Sequence, residues 1–586
     1  MKFLDKNLSL LIVLVVAVLM LLPFLGLTDF NTKGEPREAV VAVSMLKDGN
    51  WILPVNNGMD IPYKPPFFHY CIAVLSLLTG GVNEYTSRLP SALSLIAMTI
   101  GCFCFYRKRL STNVAVASAL LLLTSFEVHR AGASCRVDMM LTVFIVGALL
   151  LLYRWWERGS HGVPVLAVLC MSCATLTKGP VGFVLPCFVM GVFMLLRGEH
   201  FWKTFFKFVG FGLLSCILPL MWYVAAWIDG GQQFLDLVYE ENIGRMTGTM
   251  SYESHEHSFP YNFFTLSTGW LPWTLLLIFS LFAKPWKALK WRKTGEKLRI
   301  RIMQIPPVKL FTWLSFLLVL FFYCIPSSKR SVYLLPCYPF MAVLIAQYIE
   351  WLWTSNHHRV LRVYVCVIAA IAIILTAVYG VVHLGLVPDS IFHGKHANEN
   401  IAILHALRDT KLDFTSFVLM LLPFLTAVDS LFLTYRKAMR DKKRVMAYCL
   451  FMPLVVLMMA LDGVYLPTIL NTKSLRPMAN YIQRTFPNEP VYQYVEGSVM
   501  HFFGADFYLG DTMDQFEKPV RTTVNGKTVV EKKTPSKGVL VVSEQQFKAL
   551  ADRHTDYNFA HVATLKGRVS ELKDNISFYR FSMKTK

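Results

Sequence analysis

Residues 29–70 read DFNTKGEPREAVVAVSMLKDGNWILPVNNGMDIPYKPPFFHY. The stretch follows an apolar run near Leu8–Leu27 and carries too many charges and prolines to cross a bilayer itself. Glu35, Arg37, Glu38, Asp60, Tyr63 and Lys64 crowd into it. Ionisable groups held at a membrane surface by an apolar scaffold are costly to place, and so they mark function. Pro36 suits a first helical turn, and Glu35 suits the positive end of the helix it opens. Ala39, Ala42, Val43 and Leu46 then recur at helical spacing and Gly49 stops the run. A short amphipathic helix lying on the membrane face is expected. Pro65-Pro66 opens a second such helix over Phe67–Leu78.

The rest of the chain sets this loop in a membrane. Of 586 residues, 54% are hydrophobic and 16% charged, whereas a soluble domain is about a quarter charged. Apolar runs are read as thirteen transmembrane helices. They lie near 8–27, 88–106, 112–126, 139–153, 163–176, 181–197, 208–227, 263–283, 310–325, 334–350, 363–384, 414–434 and 445–466. The first is too long for a signal-peptide core and no small-residue cleavage site follows it, so it is read as a retained span. The fold class is thus an α-helical polytopic membrane protein. Two domains are expected: a transmembrane domain over 1–466, with the first outer loop 28–70, and an extracytoplasmic α/β domain over 467–586. In the second, Val539–Ser543 is strand-like and Glu544–Leu550 helical.

The net charge of +20 invites nucleic acid, but its distribution argues otherwise. The dense clusters are Arg107-Lys108-Arg109, Lys284–Lys309 and Arg436–Arg444, all in short connections between apolar runs. That is the signature of cytoplasmic loops, which also attract anionic membrane lipids. It places the N-terminus in the cytoplasm and loop 28–70 outside. No cysteine follows Cys449, so the C-terminal domain has no disulfide framework. Cys102-x-Cys104 and Cys170-x-x-Cys173 lie in apolar runs and read as packing residues.

Polar residues gather on the opposite, outer side: Glu35, Arg37, Lys64, Arg136, Asp138, Lys178, His255, His257, Lys329, Arg330 and Tyr333. Cations are in excess where few are expected. A basic pocket for an anionic group, most simply phosphate, follows. His255-x-His257 has a spacing that suits a divalent metal, and two loop histidines serve equally as polar contacts or phosphate donors.

These residues sit in motifs that resemble a known family. Gly34-Glu35-Pro36-Arg37-Glu38, Tyr63-Lys64-Pro65-Pro66, Arg88-Leu89-Pro90-Ser91, Arg136-Val137-Asp138, Thr177-Lys178-Gly179-Pro180, and Ser328-Lys329-Arg330 with Tyr333-Leu334-Leu335-Pro336 look like the lipid A aminoarabinose transferases. Those ArnT-like enzymes belong to the glycosyltransferase-C (GT-C) superfamily, with the protein O-mannosyltransferases. The resemblance implies an inverting glycosyltransferase of the bacterial inner membrane. Its donor would be a sugar linked to polyprenyl (undecaprenyl) phosphate, and its active site and C-terminal domain would be periplasmic. The acceptor would be lipid A or a related glycolipid, or alternatively a protein hydroxyl. It further implies that Arg37, Lys64, Arg330 and Tyr333 bind the donor phosphate. Tyr63, Arg136, Lys178, His255, His257 and Lys329 would contact substrate. Glu35 and Asp138 would be the candidate catalytic carboxylates, either able to serve as base for a hydroxyl acceptor. No cofactor is implied with certainty beyond a divalent metal as one option. The family often has two successive acids where this chain has Gly34-Glu35, and an acid where it has Tyr63. A transporter is the remaining reading; it expects charges near the bilayer midplane and matching halves, and neither is visible.

Overall fold

The computed structural model describes residues 6–32, 34–62, 64–244, 247, 256–283, 302–355, 357–394, 396–436, 442–495, 502–524, 527–565 and 574–584. The basic segments 284–301 and 437–441, and the candidate site residues Tyr63 and His255, lie outside the described residues.

Among the described residues, eight helices are long and apolar enough to cross a membrane. They are Asn7–Phe24, Glu84–Arg107, Val137–Glu157, Phe201–Gly244, Ser331–Thr354, His358–His383, Phe414–Tyr435 and Lys443–Asn471. Two more candidates are bent. Thr112–Leu123 and Phe126–Gly132 meet at 69°, and Tyr261–Gly269 and Trp273–Phe282 at 105°. Val165–Lys178, Val181–Leu196 and Pro307–Phe322 are shorter apolar helices. Each of the thirteen expected segments falls on one of these elements. The bend in the 263–283 segment had a signal in Pro272, since proline cannot continue a helix's hydrogen-bond ladder.

The helices close around an aromatic core. Tyr153 packs on Phe311 with ring centroids 4.7 Å apart and on Phe193 at 5.6 Å. The basic turns meet at one end of the bundle, where Arg109 pairs with Glu157 and Lys443 with Glu350 at 3.3 Å. The first loop lies at the other end, capped by the C-terminal domain. Its amphipathic helix is Gly34–Asp48, and Phe67–Thr79 packs beside it.

The C-terminal domain is an α/β unit. Its strands are β1 (Val491–Tyr494), β2 (Asp514–Gln515), β3 (Lys518–Val524), β4 (Lys527–Lys533), β5 (Lys537–Ser543), β6 (Tyr557–Leu565) and β7 (Ile576–Met583). Five form a mixed sheet in the order β2-β1-β5-β7-β6, while β3 and β4 make a separate ribbon. Alternate residues of β5 face two cores. Val539 and Val541 pack with Phe486, Phe502 and Phe578, and Leu540 and Val542 with Phe516 and Phe581. The last membrane-type helix runs on to Asn471, past the expected boundary at 466.

Candidate active site

Helix Gly34–Asp48 presents two carboxylates three residues apart, which places them on neighbouring positions of one face. They do different things. Glu35 is buried and meets the Arg88 fork, Nε donating to Oε1 at 2.8 Å and Nη2 to Oε2 at 3.2 Å. The Cys135 backbone N–H donates to Oε1 at 2.9 Å. Arg88 also donates through Nη1 to the carbonyls of Leu25 and Thr28, at 2.7 and 2.6 Å. Both oxygens of Glu35 are therefore occupied. Burial alone would raise its pKa; the Arg88 charge and hydrogen bonds, the Cys135 N–H and Arg136 outweigh it and hold the carboxyl below its ordinary value.

Glu38 is the hub of a second cluster. Its Oε1 accepts from the Lys64 ammonium and from Arg37 Nη2 at 3.4 Å. Its Oε2 lies 3.0 Å from His69 Nε2. Burial again opposes ionisation, but Lys64, His69 and Arg37 hold this carboxyl well below the usual range. Lys64 and Arg37 are thus gathered around one anion at the mouth of the loop.

A third pair stands beside it. Asp138, in the first turn of helix Val137–Glu157, accepts from the Lys178 ammonium. Lys178 Nζ also lies 4.1 Å from the centre of the Tyr333 ring. Lys64 and Arg136 are both within electrostatic reach of Asp138. Arg136 lies over the N-terminus of helix Gly34–Asp48, where a Cβ on Gly34 would stand 3.4 Å from Nη2. Among the described residues, Arg136 and Arg330 each bury an Nε–H with no hydrogen-bond partner.

The structure thus brings together Arg37, Lys64, Arg136, Asp138, Lys178 and Tyr333. Arg330 flanks the group as the residue before the 3₁₀ turn Ser331–Cys337. Lys329 is placed differently. Its ammonium is caged by the carbonyls of Pro326 (2.6 Å), His257 (2.8 Å) and Ser327 (3.4 Å), which staples loop 257 to loop 326–329. His257 stacks on Tyr261 with centroids 3.8 Å apart. Among the described residues no three His, Cys, Asp or Glu side chains gather as a metal site. Behind the Glu35–Arg88 pair lies a cavity of about 330 Å³, lined on its polar side by Arg130, Arg136 and the 2.6 Å His129–Asp462 pair.

Three residues of this network were not among the expected ligands: Glu38, His69 and Arg88. Glu38 had a signal, its i,i+3 spacing from Glu35 on an amphipathic helix. His69 stood alone in an apolar run, and Arg88 was noted only within the Arg88-Leu89-Pro90-Ser91 motif, with no partner assigned.

Comparisons with known proteins bear on the family and the fold. The family described as dolichyl-phosphate-mannose-protein mannosyltransferase matches residues 63–223. An uncharacterized protein of Aquifex aeolicus is 30% identical over 56% of this chain and 68% of its own length. The undecaprenyl phosphate-alpha-4-amino-4-deoxy-L-arabinose arabinosyl transferase of Edwardsiella ictaluri is 26% identical over 56% of this chain and 57% of its own. The match spans 57–63% of the length of the first curated relatives. The crystal structure of ArnT from Cupriavidus metallidurans bound to undecaprenyl phosphate superposes with a TM-score of 0.68. It covers 98% of each chain at 18% identity, a likeness of fold.

Proposed function

We propose, from the premise that this chain belongs to the dolichyl-phosphate-mannose-protein mannosyltransferase family as an ArnT-like multi-pass membrane protein, that it transfers a sugar from a polyprenyl phosphate to an acceptor at the membrane surface. The observation that carries this reading is the cationic cluster at the first loop. Lys64 and Arg37 converge on buried Glu38, and the buried Arg136 Nε–H has no partner among the described residues. An orphaned guanidinium donor beside a helix N-terminus favours an anion, since both present partial or full positive charge.

The chemistry follows from the charges. The glycosidic C–O bond to the lipid phosphate breaks, and negative charge grows on the departing phosphate oxygen. Lys64 and Arg37 stabilise that charge where the apolar helices exclude water. Tyr333, held against Lys178, supports the same group. Asp138 faces the sugar. For a hydroxyl acceptor it takes the proton as the new C–O bond forms; for a phosphate acceptor no base is required and it orients sugar hydroxyls. Attack from the side opposite the phosphate inverts the anomeric carbon. Glu35, with both oxygens filled by Arg88 and Cys135, anchors the helix that carries Glu38.

The acceptor we favour is lipid A or a related glycolipid, with transfer on the periplasmic face of the bacterial inner membrane; the donor class is supported by the undecaprenyl phosphate-linked arabinosyl transferases that the chain resembles. The full-length protein is purified and given polyprenyl-phosphate sugars. Lys64→Ala and Asp138→Asn are each expected to lower turnover by about 10²-fold or more. Full activity in both variants would remove the proposed site. Mass spectrometry of lipid A and of secreted proteins from a deletion strain separates the glycolipid acceptor from a protein hydroxyl.

A further inference from the structure

The C-terminal domain reaches into the first loop at two places, one on each side of the helix that carries Glu35 and Glu38. On the N-terminal side, Tyr508 Oη accepts from the Phe30 backbone N–H at 3.0 Å, and Phe507 packs edge-on against the Phe30 ring at 4.8 Å. On the C-terminal side the contact is denser. Asp511 Oδ2 accepts from the Ser44 hydroxyl at 2.8 Å, and Oδ1 accepts from the Asn57 backbone N–H at 2.8 Å. The Asp511 carbonyl takes the Lys47 ammonium. Gln515 and Gln493 donate to the Asn57 backbone and side-chain oxygens, at 3.2 and 3.3 Å. Gly58 has no room for a side chain, since a Cβ would come within 1.9 Å of Asp514 Oδ1. Ser44 and Asn57 are fully buried by these contacts, and Asp511 almost so.

We infer that Asp511 is a positioning residue: the C-terminal domain clasps the first loop through it and thereby fixes helix Gly34–Asp48 against Lys64. One carboxylate ties the last turns of that helix to the turn at Asn57, seven residues before Lys64. A buried carboxylate with both oxygens accepting is a rigid link, because loss of either partner leaves charge unsatisfied in a dry site. The neighbouring Asp506 is buried, with Oδ1 accepting from the Met513 backbone N–H at 2.8 Å, which holds the Asp511 loop in turn.

The inference rests on the proposed transfer activity for one of its two readouts only. Asp511 has a φ of +57°, so Asp511→Gly removes the side chain without adding backbone strain. Asp511→Asn keeps an acceptor for Asn57, and its amide can donate to Ser44 Oγ while the Ser44 hydroxyl donates to the Val40 carbonyl, 2.8 Å away. In the full chain, Asp511→Gly is expected to speed amide hydrogen exchange across Glu35–Asp48 and to cut turnover at saturating donor about tenfold or more. Asp511→Asn is expected to restore both to within about threefold. Ser44→Ala, which leaves the Asp511 loop itself unaltered, is expected to speed the same exchange. Unchanged exchange over Glu35–Asp48 in Asp511→Gly and Ser44→Ala overturns the clasp, as does failure of Asp511→Asn to rescue. A wild-type chain that transfers no sugar, with exchange behaving as expected, overturns the transfer reading and leaves the clasp standing.

Discussion

Replacing Glu35 by Gln separates an anchoring carboxylate from a reacting one. The side chain is 7% exposed, and that of its partner Arg88 is 2% exposed, so solvent screening is small. Removing one charge of a buried pair leaves the other uncompensated and costs about 3–5 kcal/mol. Gln keeps one carbonyl oxygen for the Arg88 fork and the Cys135 N–H, which puts the expected loss near the low end, about 3 kcal/mol. Arg88→Met should cost as much, because it strands Glu35 and frees the carbonyls of Leu25 and Thr28. The double variant Glu35→Gln/Arg88→Met strands no charge and should cost less than the two singles together, with a coupling energy of about 2 kcal/mol or more. Thermal and denaturant unfolding of the four proteins in one detergent, followed by tryptophan fluorescence, gives the cycle. In the Gln variant, activity and stability should fall together. A Glu35→Gln protein that unfolds like the wild type yet transfers nothing would refute the anchor and return Glu35 to the chemistry.

Further outcomes follow from the same geometry. Glu38, with its carboxyl held well below the ordinary range by Lys64, His69 and Arg37 against the cost of burial, adds stability that is present above about pH 4 and lost as pH falls through its lowered pKa; Glu38→Gln should remove that acid limb from a pH series of unfolding midpoints. Asp506 behaves in the opposite sense. Burial first, and then Asp511, push its carboxyl well above the usual value, with the Met513 N–H and Lys47 opposing, so stability should decline as pH rises from the carboxylate range toward that raised pKa, and Asp506→Asn should flatten the decline. Lys329→Met should destabilise by about 1–3 kcal/mol, since the Pro326 and His257 carbonyls lose this donor and Ser327 keeps only the His257 N–H, while KM for the donor stays unchanged; a raised KM would make Lys329 a substrate ligand after all.

What the sequence made legible was local. Helix Gly34–Asp48 could be bounded because Pro36, the spacing of Ala39, Ala42 and Val43, and Gly49 act within one or two turns. The membrane segments could be placed because each is a run of apolar residues. Partnerships were a different matter. Glu35 and Arg88 are 53 positions apart, and nothing at either position tells a reacting carboxylate from a neutralised one. Lys329 shows the same gap. A lysine at a helix end reads alike whether it faces a phosphate or a ring of carbonyls, and here it meets carbonyls. The C-terminal sheet was visible mainly at Val539–Ser543, where β5 is buried on both faces and so forms an unbroken apolar run. The partner strands β1, β6 and β7 mix polar and apolar residues, and β2 is only two residues long.

The charge balance at the loop bears on why the acids are there at all. Setting aside the self-compensated Glu35–Arg88 pair, four cations, Arg37, Lys64, Arg136 and Lys178, stand with two carboxylates, Glu38 and Asp138. On the proposed reading the donor arrives as a phosphodiester with one negative charge and leaves as a monoester approaching two near neutral pH. A site without Glu38 and Asp138 would bind the incoming diester too well, holding substrate and product alike. With them, the excess is two positive charges, a closer match to the departing phosphate than to the donor. Interactions stronger in the transition state than in the ground state are the ones that accelerate a reaction. On that reading the carboxylates would also serve the leaving group by restraint, Glu38 holding Lys64 and Asp138 holding Lys178 fixed and partly neutralised until the phosphate charge has formed.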